Sequence, residues 1–370
     1  MKKPAFVTFV GGWGPTPVEQ MMAAAHRAIA ADLVQRAIAS RGFDSYFLVT
    51  DTPALVEVDG DDVVVEPALV PFHFGRNLRD LVVKHGLERV CYVGGGALPL
   101  LSAGDLASIS DQLSNTRDTV ITNNVYSGDL VCFTPASALE RIPLPSIDNP
   151  LPRLLSNEGG LEIISLPRGL NTLMDVDTPT DLAILTLFPG LGPHLRAYLE
   201  GLDLDVGRLS QALKLFTCRE SQVLVAGRIG SFVWSQLEQG TACRCRIISE
   251  ERGMRTDGRE GAGTVRSLLG QYLELTRPPE FFRKLAELGD AIFIDTRVLF
   301  RHLGLDLNGP DRFHSDMMAP EEISDPWARE FTSAAMNAPV PVVLGGHSLV
   351  TGGLLALIEI AWAGQVKPCS

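Results

Sequence analysis

Short runs of β-branched and aromatic residues, closed by glycine or turn residues and followed by helix-like apolar patterns, recur along this chain. This alternation restricts its fold more than any other feature. Residues 5–10 read as a buried strand, Gly11-Gly12-Trp13-Gly14-Pro15 as a loop, and 18–40 as a helix with apolar residues at helical spacing. Further strands are predicted over 46–50, 90–93, 119–122, 130–133, 162–165 and 173–176, with helices over 76–85, 102–113, 136–141 and 178–187. Residues 56–66 alternate around Asp59-Gly60-Asp61-Asp62, the pattern of a small hairpin. Alternating strands and helices imply an α/β fold whose sheet is mostly parallel, with helices on both faces. In such sheets ligands sit at the carboxyl ends of strands, near a reversal of strand order. The glycine clusters at 11–14 and 94–96 both fall at such ends.

The 370 residues suit two domains. The punctuation Pro189-Gly190-Leu191-Gly192-Pro193 places the boundary so that 1–190 form the first and 191–370 the second. Beyond it, helices over 194–200 and 206–216 precede a second α/β pattern of Rossmann-like kind. Its strands are 222–226, 244–249, 291–295 and 340–344, and its helices 231–239, 264–275, 279–288 and 349–362.

A net charge of −12 argues against general nucleic-acid binding, which needs a basic face to neutralise phosphates, but leaves room for a local basic pocket. No apolar run is long enough to span a membrane and no leader pattern opens the chain, so a soluble, cytoplasmic protein is expected. Of six cysteines only Cys243 and Cys245 lie close. Strand alternation puts them on one face as core thiols, because Cys-x-Cys without a second pair is a poor metal signature.

The Gly11-Gly12-x-Gly14 loop lets backbone N–H groups approach a phosphate with no Cβ in the way, and the helix behind it adds a positive end. A plain tight turn would use the same residues. Three segments in order then resemble the GT-A-type nucleotidyltransferases, which include the MobA-like enzymes, over about residues 4–187. The first runs from the glycine loop through Gly42-Phe43-Asp44 to Val49-Thr50-Asp51. The second is Leu98-Pro99-Leu100-Leu101-Ser102-Ala103-Gly104-Asp105-Leu106, and the third Asp175-Val176-Asp177-Thr178-Pro179-Thr180-Asp181-Leu182.

The resemblance implies metal-assisted transfer of a nucleotidyl group from an NTP or nucleotide-sugar to a small phosphorylated acceptor, with Mg²⁺ as cofactor. Gly11, Gly12, Gly14, Asp51, Gly94, Gly95 and Gly96 would hold the nucleotide. Asp175 would be the catalytic and metal carboxylate, with Asp177 as its neighbouring alternative. Thr178 and Pro179 also suit the N-cap and first turn of a helix. Asn123, Asn124, Tyr126 and Asp129 fall where the family binds its acceptor; Asn and Asp are also common turn formers. His73, between aromatics, is read as a packing residue that could reach the same cleft.

Two departures matter. Ala97 stands where the family has its first metal carboxylate, and Pro15, Thr16, Pro17, Val18 and Glu19 replace its basic triphosphate clamp. Three readings follow. The domain binds a nucleotide without turning it over; Asp175 or Asp177 holds a metal with Asp129 or phosphate oxygens completing the shell; or the fold serves another ligand. The triple glycine fits either close approach of a ligand or a crowded turn.

The second half shows no family resemblance. Its candidate cleft gathers Gly227, Arg228 and Ser231 from one strand–helix junction, Arg252 and Arg255 from the polar loop, and His347 and Ser348 before the last helix, with Asp295-Thr296-Arg297 beside them. Ser348 is read as a helix N-cap, residues 311–316 as a metal or ion-pairing cluster or a solvated loop, and Arg283, Lys284 and Glu287 as an exposed helix face. Three functions stay open: a nucleotidyltransferase, a non-catalytic nucleotide- or phosphometabolite-binding regulator, and an enzyme whose site lies in the second half. A nucleotide and a small phosphorylated molecule are the expected partners. Nucleic acid and membrane are not, and a homodimer is compatible with the sequence.

Overall fold

A computed structural model describes residues 2–364 apart from Glu57, Asp59 and Asp61. The chain divides into two compact units. The first comprises Met1–Gly14, Ala23–Leu173 and Gly192–Tyr198, and the second Pro15–Met22, Met174–Leu191 and Leu199–Ser370.

The first unit is built on a seven-stranded sheet: β1 (Ala5–Val10), β2 (Ser45–Thr50), β3 (Val63–Pro67), β4 (Val90–Gly94), β5 (Thr119–Thr122), β6 (Leu130–Thr134) and β7 (Glu162–Ser165), in the order β3-β2-β1-β4-β6-β5-β7. Every pairing is parallel except those of β6, which runs antiparallel to both β4 and β5. The central strand β1 is buried along its whole length, as a strand covered by helices on both faces must be. Phe9, Phe74 and Tyr92 pack edge-to-face with ring centroids 4.9–5.6 Å apart. Each fully buried side chain of this kind is worth about 1.5–3 kcal/mol. Cys91 and Cys132 are register partners on β4 and β6 and form a disulfide.

Asp32 is only 3% exposed and accepts from the backbone N–H groups of His194 and Leu195, each at 3.0 Å. Its carboxylate thereby caps the helix Pro193–Glu200 and ties residues 192–198 into the first unit.

The second unit carries β8 (Gln222–Gly227), β9 (Arg244–Ser249), β10 (Ala291–Asp295) and β11 (Val342–Gly345), all parallel, in the order β11-β10-β8-β9. One face is packed by the aromatics Phe281, Phe282, Phe300 and Phe331. The helix Pro179–Thr186 joins this unit through Thr180, whose hydroxyl donates to the Leu344 carbonyl at 2.6 Å.

Several expectations change. Among the described residues of the predicted hairpin, Val63–Pro67 form a strand, β3, and it pairs in parallel with β2 rather than within a hairpin. Its turn residues Glu57, Asp59 and Asp61 lie outside the described residues, as does Cys369. Residues 170–173 form a helical turn, so the strand predicted over 173–176 shrinks to an isolated bridge at Asp175. Residues 309–316 form a helix rather than a solvated loop, because Asn308 caps it and Asp311 turns inward to accept from Ser324 N and Asp325 N. Arg283 and Lys284 do form an exposed ion-paired face with Glu280 and Glu287.

Candidate functional sites

In the first sheet strand order reverses between β1 and β4, and the loops after both carry the glycine clusters. This is where a crevice opens in a doubly wound sheet. Gly11 and Gly12 have φ of 151° and 82°, backbone that side chains rarely adopt. Gly12 N–H donates to Asp51 Oδ2 at 2.8 Å. A Cβ at Gly11 would collide with that carboxylate, whereas one at Gly12 would meet nothing within 4 Å. The loop is thus open on one side and occupied by an acidic side chain on the other.

The triple glycine has a packing reason. A Cβ on Gly95 would fall 2.7 Å from the Phe9 carbonyl oxygen, and one on Gly96 would overlap the His26 ring. Gly94 meets only ordinary contacts and donates its N–H to Asp129 O at 2.9 Å. Ala97 is 5% exposed and turns back to Gly94 O through its own N–H. The Leu98–Leu101 segment is tied down by Arg36, which donates to the carbonyls of Pro99 and Leu101, and Ser102 with Asp105 closes a capping box on the next helix.

Asn123 spends its amide on the protein. Its oxygen accepts from Asp129 N and Leu130 N at 3.1 Å each, and its nitrogen donates to Asp129 Oδ2 and to Thr172 O. Asn124 closes a turn onto Tyr126 N at 3.0 Å, and Tyr126 is 61% exposed. Of the four predicted acceptor residues, Tyr126 is exposed and Asn124 half-buried, while Asn123 staples the loop to Asp129. His73 caps the helix Phe74–His85, its Nδ1 accepting from Arg76 N.

Asp175 and Asp177 belong to the second unit. Asp175 Oδ1 accepts from Val176 N at 2.9 Å, and Asp177 is exposed. Among the described residues no group of three or more His, Cys, Asp or Glu side chains is placed to hold a metal. Ala97 offers no metal-binding group, and Asp175 Oδ1 is engaged by its own turn. Thr178 is the predicted N-cap, with Pro179 in the first turn, and Asp181 reaches back to Thr178 N and Oγ1 at 2.8 Å each.

In the second sheet the reversal of strand order lies between β8 and β10. Arg228, just after β8, grips Asp295 at the end of β10 through Nε to Oδ2 at 2.5 Å and Nη2 to Oδ1 at 3.0 Å. Gly227 has φ of 132°, and any Cβ there would overlap the Asp295 side chain, so the pair demands glycine. Burial alone would raise the Asp295 carboxyl; the Arg228 charge beside it wins and holds it below the ordinary carboxylate range.

Two residues on, Arg297 pairs with Asp316 at 2.6 and 2.9 Å. His347 is exposed. Neighbouring protein first, and then the Arg228 charge, push its imidazole down to about 4. Ser348 stands at the predicted N-cap position but makes no side-chain cap bond. Its backbone is helical, and its buried hydroxyl donates to Asp181 Oδ2 at 2.6 Å. That oxygen also accepts from Asp177 N, and burial pushes the Asp181 carboxyl up to about 7.

The polar loop after β9 sorts its charges. Glu250 turns inward to accept from Ser267 Oγ and Leu268 N, and Glu251 pairs with Arg259 and accepts from Arg266 N. Met254 anchors the loop by packing with Val265 and Val298. Arg252 and Arg255 remain exposed. The Arg252 guanidinium lies 3.6 Å from where a Gly230 Cβ would sit, beside the start of the helix Ser231–Gly240, whose first residue Ser231 is also exposed.

Cys243, just before β9, and Cys245, on it, share the Thr241 hydroxyl, at 3.5 and 3.9 Å from their sulfurs; Cys243 is buried and Cys245 half-buried. A hydrogen bond from Cys245 brings the Cys243 thiol down to about 7, against the opposing effect of burial, while the Cys245 thiol is pushed up.

No family model matches this chain, and no curated protein matches it. Solved structures do. A cytidylyltransferase from Leptospira borgpetersenii is 17% identical with a TM-score of 0.38, the match covering 50% of this chain and 86% of that one. Rv0371c from Mycobacterium tuberculosis is 16% identical with a TM-score of 0.33, covering 54% and 98%. The bifunctional IspDF from Campylobacter jejuni is 11% identical with a TM-score of 0.32, covering 46% and 51%. No described helix is long and apolar enough to cross a membrane.

Proposed function

We propose that the first unit binds a nucleotide or nucleotide-sugar at the β1–β4 crevice without transferring the nucleotidyl group. The observation that carries this reading is the one-sided glycine loop. The face of Gly12 is bare at the point where strand order reverses, and the Asp51 carboxylate stands at the end of the neighbouring strand β2. A carboxylate in that position accepts from ribose hydroxyls. The same carboxylate occupies the Gly12 N–H and repels a triphosphate, Ala97 supplies no metal ligand, and the loop has no basic clamp. Each of these takes away charge stabilisation of the phosphates, in the transition state above all, and leaves the sugar, through Asp51, as the part recognised.

The test is thermal-shift screening with NTPs and NDP-sugars, each with Mg²⁺ and with EDTA. A stabilising nucleotide is expected, equally effective in both, with its affinity reduced about tenfold by Asp51→Ala, the scale of one hydrogen bond to a charged group. No shift from any nucleotide overturns the reading. Pyrophosphate release on adding an NTP with a phosphorylated acceptor returns the unit to the catalysts.

A further inference from the structure

The nucleotide crevice makes no use of the paired cysteines beside β9. Cys243 and Cys245 are the free cysteines among the described residues. β9 is an edge strand of the second sheet. Cys245 sits on it half-buried, and Cys243 lies just before it, where the chain bends at 242–243. Residues two apart have Cα atoms no more than about 7 Å apart even in an extended chain, and a bend shortens that span. The backbone therefore holds the pair within the range a disulfide bridges. The side chains converge as well. Both sulfurs lie within reach of the Thr241 hydroxyl, at 3.5 and 3.9 Å, and the Cys245 thiol donates to the Cys243 sulfur.

The pair is also asymmetric. The hydrogen bond from Cys245 favours the thiolate of Cys243 and brings its thiol down to about 7, against burial and the charge of Glu238 on the helix Ser231–Gly240. The same contact, burial and Glu238 push the Cys245 thiol up, so it keeps its proton. Structural thiols buried in apolar surroundings are pushed up and inert; Cys243 goes the other way. A thiolate in contact with a protonated thiol is the arrangement of an attacking and a resolving cysteine.

We propose that Cys243 and Cys245 form a redox-active dithiol that a peroxide converts to a disulfide. The Cys243 sulfur attacks one oxygen of hydrogen peroxide and the O–O bond breaks. The leaving hydroxide takes up the proton the thiol gave up, which makes one water and leaves Cys243 as a sulfenic acid. The Cys245 sulfur then attacks the sulfenic sulfur. The S–S bond forms, the S–O bond breaks, and the departing hydroxyl leaves with the Cys245 proton as a second water. Two thiols give up two electrons between them, and one peroxide is reduced to two waters.

The experiment treats the reduced full chain, freed of reductant, with a small excess of hydrogen peroxide, alkylates the remaining thiols and maps the peptides by mass. Trypsin cuts after Arg244, between the two cysteines, so their disulfide is read as two linked peptides. That linked pair is expected, and dithiothreitol should separate it. In Cys245→Ser the reaction is expected to stop at a Cys243 sulfenic acid, captured by dimedone. In Cys243→Ser, Cys245 is expected to be oxidised at least about threefold more slowly, the loss of thiolate fraction less the gain in intrinsic nucleophilicity. If a serine variant does not fold, the linked peptides of the parent chain decide. Recovery of both cysteines as alkylated thiols overturns the proposal, as does linkage of either to another cysteine in preference to its neighbour. Oxidation of Cys245 in Cys243→Ser as fast as that of Cys243 in Cys245→Ser overturns it equally.

Discussion

Arg228 and Asp295 meet across the ends of two adjacent parallel strands in a two-bond guanidinium–carboxylate grip, with Asp295 fully buried and the Arg228 side chain 15% exposed. Removing one partner leaves the other charge unpaired at the junction where strand order reverses. Arg228→Ala is therefore expected to lower unfolding stability by about 3 kcal/mol, the lower end for a buried pair because Arg228 retains some solvent. Urea denaturation of the variant checks this, and a loss below about 1 kcal/mol would contradict the account.

The same pair predicts an acid response. The folded-state Asp295 carboxyl is held below its ordinary value despite burial. Its contribution is then full above the unfolded-state value of about 3.9 and is lost as pH falls through the lower folded-state value. Stability measured from pH 6 downward should fall less steeply below about pH 4 in Asp295→Asn than in the parent. Parallel acid limbs would show that Asp295 does not carry the linkage.

Gly96 faces the His26 ring with no room for a Cβ. Gly96→Ala is expected to destabilise the chain by about 1–3 kcal/mol, the usual cost of overpacking. Trimming the ring in His26→Ala should make the second substitution much less harmful. A double-mutant cycle on unfolding temperature measures the coupling, and additive effects would reopen the ligand reading of the triple glycine.

Asn123 satisfies two backbone N–H groups with one oxygen and is 8% exposed. Asn123→Ala leaves both donors short of partners and should cost about 2–3 kcal/mol. Asn124→Ala removes only a turn contact and should cost well under half of that. If ligand affinity fell while stability held in Asn123→Ala, the residue would belong to binding after all.

Much of the architecture was legible before any coordinates. The alternation of apolar runs with helical spacing located most strands and helices. The glycine clusters at 11–14 and 94–96 and the turn at 227–230 stand at the strand ends where they were expected. The site was legible only in part. Arg228, Arg252 and His347 were visible as loop residues, whereas Asp316, the partner of Arg297, was hidden in a stretch that also read as a solvated loop. Ser348 and Asn123 carried the right chemistry but proved to be committed to Asp181 and to the loop of Asp129.

By itself the sequence determined the α/β class, the position of the strands and where glycine had to stand, because periodicity reports which face of each element is apolar. Tertiary structure decided which charges are free. Ser348 reaches a carboxylate 167 residues away, His194 one 162 residues away, and Arg228 one 67 residues away. A polar side chain's role depends on whether a partner arrives from a distant strand, and no local pattern carries that information. The glycine loop that marks the first crevice was read from the sequence. That Asp51 fills half of it follows only from the packing.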